Sequence, residues 1–496
     1  MKKKLALNTI FSILLQAVIF ICGLITPRLF LNAYGSEING LVQSITQFLG
    51  VISLLELGVG QVIQSALYKP LANKDNYSLS CVLDSGNKFF KRIAYILFVY
   101  VALLVAIYPL AVAEKFDWFY TASLILAVSI GSFAQYYFGI IDKILLNADQ
   151  RGYIQFVSQI IALIINTAFC VILILSGSSI QIVKLTASLV FLLRPFVVRM
   201  YIKKKYTIDR RVKYEDEPIK QKWNGIAQHI SAFILNGTDN IVLTMLSTLS
   251  NVSVYSVYQL VINGVCQLHH SATAGLHSLV GELWAKQEID RLKHVFGTIE
   301  LSLHFSSVFL FTCTGILIVP FVRVYTDGVT DANYIQPLFA ILIVLAYAFT
   351  CIKTTYNLLI LAGGHYKQTQ KCHIISAAIN VVISISTVYF FGLIGVAIGT
   401  LVAMGYQMTW MAYYNSKNLL KWPFSNFLKH IGVDVLTVLI AATATSWIKL
   451  GDISYLGWFI MAIKVAPIVL LTVTAMAFIF YRQKVIYICK HITHRK

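Results

Sequence analysis

The chain is poor in charge. Asp, Glu, Lys and Arg make up 12% of its 496 residues, against 58% hydrophobic residues and a mean hydropathy of +0.73. Soluble domains carry about 25% charged residues, so a water-soluble globular protein is excluded. Acid is scarcest: 21 Asp and Glu stand against 40 Lys and Arg, a net charge of +19. That excess does not point to nucleic acid, because the basic residues gather at the two ends and in alternate polar loops, the positive-inside pattern of a membrane protein. The eight cysteines show no CxxC spacing. Cys22, Cys170, Cys266, Cys313 and Cys351 lie within apolar runs, where cysteine acts as a small hydrophobe, so neither a disulfide framework nor a metal site is expected. There is no phosphate loop, no nucleophile–base spacing and no long polar loop to house glycosyl-transfer chemistry, so no catalysis and no cofactor are expected. Short alternating segments of barrel type do not dominate either.

What the sequence has instead is a succession of apolar runs of about 20 residues or more, each long enough to cross a bilayer as a helix. The stretch from Asn8 to Gly60 holds two of them, joined by a hinge, Leu31 to Gly40. It also places Arg28 and Glu56 among apolar residues, where a charge at the helix centre costs about 2.5–3.5 kcal/mol on insertion scales. Lys2-Lys3-Lys4 imitates a secretory signal, but the following run exceeds the usual core of about 7–15 residues and ends in Pro27-Arg28 without a small-x-small site. It is read as the first span.

The spans fall at Asn8–Phe30, Asn39–Leu67, Phe89–Val112, Trp118–Ile141, Tyr153–Leu175 and Ile180–Tyr201. Lys203–Lys222, with eight basic residues against four acids, reads as a cytosolic midpoint linker. Eight more follow: Trp223–Leu246, Val254–Leu283, Phe296–Val319, Tyr334–Leu361, His373–Phe391, Gly395–Tyr414, His430–Ile448 and Tyr455–Tyr481. The eighth is overlong and is expected to break near Gly264 or Gly275. The fold class is therefore all-α and polytopic, with about fourteen helices and both termini in the cytosol.

An internal repeat runs at an offset near 213 residues. Leu145 to Tyr153 is echoed by Leu359 to Tyr366, Ile164-Ile165-Asn166 by Ala378-Ile379-Asn380, and the hinge Gly35 to Asn39 by Leu249 to Ser253. Six spans per half is an even number, so the halves are parallel repeats, a transporter architecture that works by alternating access. The expected organisation is a six-helix bundle at 1–202, the linker at 203–222, a second bundle at 223–415, and two further helices with a basic tail at 416–496.

Three segments carry a family likeness: Gly35-Ser36-Glu37-Ile38-Asn39-Gly40, Leu55-Glu56-Leu57-Gly58, and Phe391-Gly392-Leu393-Ile394-Gly395-Val396-Ala397-Ile398-Gly399-Thr400. With the fourteen-helix count, the chain resembles the polysaccharide flippases of the multidrug/oligosaccharidyl-lipid/polysaccharide exporter superfamily. The resemblance implies a pair of six-helix bundles in a bacterial plasma membrane. It implies transfer of an undecaprenyl-pyrophosphate-linked sugar repeat unit to the outer leaflet, for capsule, O-antigen or a related polymer. Partners would be that glycan lipid, membrane lipids, a glycan polymerase and glycosyltransferases. The other member class it resembles is the cation-coupled multidrug exporter, which usually has twelve helices and an acid-lined cavity.

A lipid pyrophosphate brings about two negative charges into a medium hostile to unpaired charge, and Arg suits bidentate phosphate contacts. The pyrophosphate candidates are Arg28, Arg194, Lys353 and Lys464, each readable also as an interfacial cation whose stem snorkels; for Arg28 the resemblance adds a cavity arginine in this part of the first span. Lys184 reads better as an interfacial anchor. Among acids, Glu56 is read as an ion-pair partner within the bundle or a cavity residue. Asp239, in Asn236-Gly237-Thr238-Asp239-Asn240, is read as a structural hydrogen-bond centre or a carboxylate coupled to an ion gradient, the ion being open. Glu300 and His304 are expected at a solvated edge, and His269, His270 and His277 in ordinary hydrogen bonds.

Overall fold

The computed structural model describes residues 2–56, 59–209, 212, 226–273 and 276–493, and among these every regular element is helical. The described residues form an all-α, multi-pass membrane fold. Eleven described segments are long and apolar enough to span by length and composition alone. The fold divides into two compact units, Met1–Phe233 and Ile234–Lys496.

Unit 1 begins with α1 (Lys2–Gly50), which is two crossings in one. Forty-nine residues of helix would measure about 74 Å, more than twice the hydrocarbon core, so the chain has to turn. Gly35 makes the turn with φ 80° and ψ 175°, a conformation open chiefly to glycine. The second predicted span is not one continuous helix: a 3-10 segment, Val51–Glu56, separates α1 from α2 (Val59–Asn73). Leu57 and Gly58 lie outside the described residues.

The polar connection expected between residues 68 and 88 is also helical, because α3 (Asn76–Ala111) starts thirteen residues before the predicted Phe89. Its start is set by Asp75, whose carboxylate accepts hydrogen bonds from the Ser78 hydroxyl at 2.6 Å and the Ser78 N–H at 3.0 Å. Those bonds, side chain first, hold the Asp75 carboxyl below the usual range. Tyr108 of α3 donates to Ser44 Oγ at 2.7 Å and Tyr100 donates to the Phe48 carbonyl at 2.9 Å, fastening α3 to the second leg of α1. Lys115, just beyond α3, pairs with Glu37 beside the turn.

The fourth crossing runs through α4 (Trp118–Ala134), a π-helical turn (Gln135–Gly139) and α5 (Ile140–Ala148). Next come α6 (Gly152–Leu175) and α7 (Ile180–Lys205). In the turn before α6, Gln150 has φ 56°. The Asn8 side chain clasps this turn, donating to the Gln150 carbonyl at 2.9 Å and accepting from the Tyr153 N–H at 2.7 Å. Arg151 donates to the hydroxyl of Tyr201, on α7, at 2.8 Å.

Unit 2 repeats this plan. The helix α8 (Ile226–Leu246), which begins in unit 1, is followed by α9 (Leu249–Thr273) and α10 (Leu276–Ala285). Helix α9 passes through Gly264 unbroken; Gly275 lies outside the described residues. Then come α11 (Ile289–Tyr325), α12 (Pro337–Ala362), α13 (Tyr366–Phe391) and α14 (Leu393–Tyr414). The helix α11 runs six residues past the Val319 end of the ninth expected span, to Tyr325. The turn before α13 mirrors that before α6: Gly364 has φ 69°, and His365 Nδ1 lies 2.7 Å from the hydroxyl of Tyr414, on α14.

The glycine motif from Phe391 to Thr400 now has a physical account. Gly392 turns the chain at φ 54°, and Gly395 and Gly399 let α14 lie against α13. A Cβ at Gly395 would fall 2.5 Å from the Thr387 carbonyl, and one at Gly399 would fall 2.2 Å from Ser384 Oγ. Small residues four apart serve this purpose in membrane helices.

Helices α15 (Ser425–Thr445) and α16 (Tyr455–Thr493, kinked at Tyr481) close the unit. They bury Ala441, Ile448, Met461, Val465, Val469 and Val473 against Val308 and Leu317 of α11. The Trp458 indole donates to the Leu317 carbonyl at 3.1 Å.

Candidate functional site

In unit 1 three charged side chains converge inside the membrane-spanning part of the fold. Glu56 ends the 3-10 segment, Lys143 projects from α5, and Arg194 lies on α7 just before Pro195. Lys143 feels the charges of both Glu56 and Arg194, and the Tyr136 phenol faces Glu56. Two cations against one carboxylate leave an excess of one positive charge. Such a pair with a single counter-ion suits an incoming anion better than a balanced ion pair does. Sequence reading had Glu56 and Arg194 but left Lys143 in a basic-tipped turn; the signal it missed is that Lys143 lies one turn after Gly139, inside a helix.

Arg28 is half-buried on the first leg of α1, beside Pro27 and seven residues before the Gly35 turn. Lys184 is not a plain interfacial anchor. Its ammonium stands 4.1 Å from the centroid of the Phe30 ring of α1, and it senses Cys170 of α6. Cation–π contact is stronger where water is excluded.

In unit 2 the centre is Asp239, 1% exposed on α8. Its Oδ2 accepts hydrogen bonds from the Tyr255 hydroxyl of α9 and the Thr400 hydroxyl of α14, each at 2.8 Å. Asn380 of α13 donates to Thr400 Oγ1 at 3.1 Å and accepts from Thr238 at 3.0 Å. Ser384, one turn on from Asn380, reaches the Val396 carbonyl at 3.5 Å. Asp239 Oδ1 has no partner at ordinary hydrogen-bond geometry among the described residues, although the Asn380 amide also acts on the carboxylate, and Asp239 forms no ion pair among them. A buried carboxylate with an idle oxygen, ringed by hydroxyl, amide and carbonyl oxygens, is a donor set for a hard cation or a proton, with neither sulfur nor imidazole to favour a transition metal. The residues fit such an ion.

A second polar group in unit 2 surrounds Lys353 of α12. Its ammonium donates to Gln407 Oε1 at 2.8 Å, and the Gln407 amide faces His373 Nδ1 at 3.0 Å and Ser376 Oγ at 3.1 Å. His270 of α9 also faces this charge, so Lys353 is held by the bundle rather than extended to an interface. Lys464 is exposed on α16, beside buried Met461 and Val465 in the sequence. The structure brings it to none of these groups. Glu300 and His304 are not at a solvated edge but 2% and 1% exposed, because α15 and α16 cover α11. His269 is held as expected, with Nε2 3.0 Å from Ser307 Oγ; nothing of the His277 side chain falls within the described residues.

No protein-family model matches the chain, and no curated protein matches it in sequence. The fold finds clear counterparts among solved structures: it is the fold of the superfamily of multidrug, oligosaccharidyl-lipid and polysaccharide exporters. The lipid II flippase MurJ, in an inward closed conformation, superposes with a TM-score of 0.72 over 96% of this chain and 100% of that one, at 17% identity. An inward-facing multidrug resistance transporter of the MATE family gives 0.61 over 80% and 95%, at 15% identity. The MATE multidrug transporter DinF-BH gives 0.61 over 84% and 96%, at 14%.

Proposed function

We propose that the protein is a flippase for a lipid-linked oligosaccharide, carrying a polyprenyl-pyrophosphate glycan from the inner to the outer leaflet of a bacterial plasma membrane by alternating access. The observation that carries this reading is the surplus of cations within the spans of unit 1, where Lys143 interacts with both Arg194 and a single carboxylate, Glu56, and Arg28 is half-buried on the first leg of α1. A pyrophosphate is the substrate group that such a surplus favours, while a cationic drug would be repelled. The full-length likeness to a lipid flippase supports the same reading. Asp239, with Asn380, Thr400 and the Val396 carbonyl, is the proposed coupling site, where a sodium ion or proton balances the buried carboxylate. On this reading both termini are cytosolic, and the glycosyltransferases and polymerase that make and use the glycan are its partners.

The test is depletion in the producing cell, followed by complementation. Loss of the protein leaves lipid-linked repeat units on the cytosolic leaflet while surface polymer disappears. Wild type restores polymer, Arg28→Ala does not, and Arg28→Lys restores part of it, keeping the charge but losing the planar fork. Persistence of polymer with a change only in drug sensitivity would overturn the flippase reading in favour of a cation-coupled multidrug exporter.

A further inference from the structure

Helices α15 and α16 meet the rest of unit 2 at a group of ionisable side chains that the transport reading leaves unused. Glu300 and His304 stand one turn apart on α11, Tyr356 lies on α12, and His430 and Asp434 stand one turn apart on α15. Glu300, His304, Tyr356 and His430 are all buried. Asp434, with its side chain 16% exposed, borders a crevice walled by Phe305, Val433, Val473 and Met476.

Three contacts run in series through this group. Asp434 Oδ2 lies 2.6 Å from His304 Nδ1, His304 Nε2 lies 3.1 Å from the Tyr356 hydroxyl, and that hydroxyl lies 2.8 Å from Glu300 Oε1. Each contact requires one hydrogen. A neutral imidazole brings one, a phenol brings one, and ionised carboxylates bring none. Two hydrogens cannot fill three contacts, so the third is a proton taken from solution.

We propose that unit 2 holds a proton-binding site in the chain Asp434–His304–Tyr356–Glu300, distinct from the site at Asp239. The proton is accommodated in two equivalent ways. Either His304 is an imidazolium against Asp434 while Tyr356 donates to Glu300, or Glu300 is protonated and the donors all point the other way along the chain. The count is one in both. Two carboxylates with one proton retain one negative charge, and the groups facing it account for that. Lys484 of α16 acts on Glu300. His430 Nε2 lies 3.6 Å from Glu300 Oε2, too far for a hydrogen bond, and its ring is stacked between those of His304 at 5.0 Å and Tyr481 at 4.8 Å. Lys429 stands over Tyr481 at 5.1 Å. Loss of the proton leaves a second buried negative charge and one contact without a hydrogen. The contact at the α15 end is the one from Asp434 to His304, so protonation clamps α15 to α11.

The test uses the purified full-length protein in detergent. Asp434→Asn and Glu300→Gln each place an N–H at one end of the chain and so supply the missing hydrogen permanently. Above about pH 8, more than a unit above the ordinary imidazole pKa of about 6.5, the unfolded acids and imidazoles bind essentially no proton, so the folded wild type binds one more than the unfolded state. Its folding equilibrium therefore weakens about tenfold per pH unit as pH rises, until the bound proton leaves. Both amide variants are flat over that window, and potentiometric titration finds one proton fewer released from each. Should an amide variant fail to accumulate, Tyr356→Phe reads the same proton, because it leaves a single contact that a neutral imidazole fills. Equal pH slopes and equal proton release in wild type and variants would overturn the proposal, and neither readout requires a transported substrate.

Discussion

Where α6 meets α7, unit 1 gathers Asn166, Cys170 and Lys184, with the Cys170 thiol donating to Asn166 Oδ1 at 3.8 Å and the Lys184 ammonium over Phe30 of α1. Where α13 meets α14, unit 2 gathers Asn380, Ser384 and Thr400, with the Asp239 carboxylate arriving from α8. The sequence repeat pairs Asn166 with Asn380. The two halves have thus kept one asparagine and diverged in charge around it. Unit 1 carries a cation on its own chain; unit 2 carries a carboxylate with one idle oxygen. A tethered ammonium is permanent, whereas a cation recruited to Asp239 comes and goes with its concentration. On the proposed coupling reading, that difference makes unit 2 the half that responds to an ion gradient.

The sharpest way to break the comparison is Asp239→Asn, a near-isosteric neutral variant. Exchange of choline for sodium, or a fall in pH, is expected to stabilise the purified wild type. The variant loses a charge-assisted contact of about 1.5–3 kcal/mol, roughly a ten- to hundredfold loss in cation affinity. Its unfolding midpoint should stay constant across the sodium series at fixed pH; a wild-type sodium response in Asp239→Asn would remove the ion from this site.

A smaller effect tests the seams themselves. Helix α7 contains no glycine, while α14 approaches α13 through Gly395 and Gly399. Gly399→Ala is expected to destabilise unit 2 by about 1–3 kcal/mol through overpacking. Gly432→Ala on α15, with no atom within 4 Å of its new Cβ, should gain up to about 1 kcal/mol from helix propensity. Denaturant titration of the two variants separates them by sign. The smallest effect belongs to unit 1: Lys184→Met keeps the apolar stem and loses the cation–π contact, an expected cost of about 0.5–2 kcal/mol. Sodium dependence should be untouched in it; its disappearance would make the two sites parts of one ion pathway.

The crossings and their order were legible because burial in lipid demands long apolar helices, and hydropathy reads that directly. The interruptions were not. Val51–Glu56 is as apolar as its surroundings and Gln135–Gly139 differs from them only over five residues, so nothing in periodicity marks them as 3-10 or π. Asp239 and Arg194 stood out as charges among hydrophobes. Lys143 did not, because it follows Asp142 at the edge of a run and looks like the start of a loop. Glu300 and His304 looked solvated for the same reason, and only the packing of α15 and α16 over α11 buries them. Thr400 and Tyr255 are common in membrane helices, and their role depends on contacts between helices far apart in the sequence.

The 3-10 segment between α1 and α2 is wound more tightly than the helices on either side of it. Its six residues advance about 2.0 Å and 120° each in the present form, against about 1.5 Å and 100° in an α-helix. Recoiling that segment as α would draw α2 inward by about 3 Å and swing Glu56 round the axis by about 120°. Glu56 would then point away from Lys143, leaving two cations with no carboxylate between them. Rewinding these two turns of 3-10 helix as α would therefore be enough to strip the counter-ion from the proposed anion site.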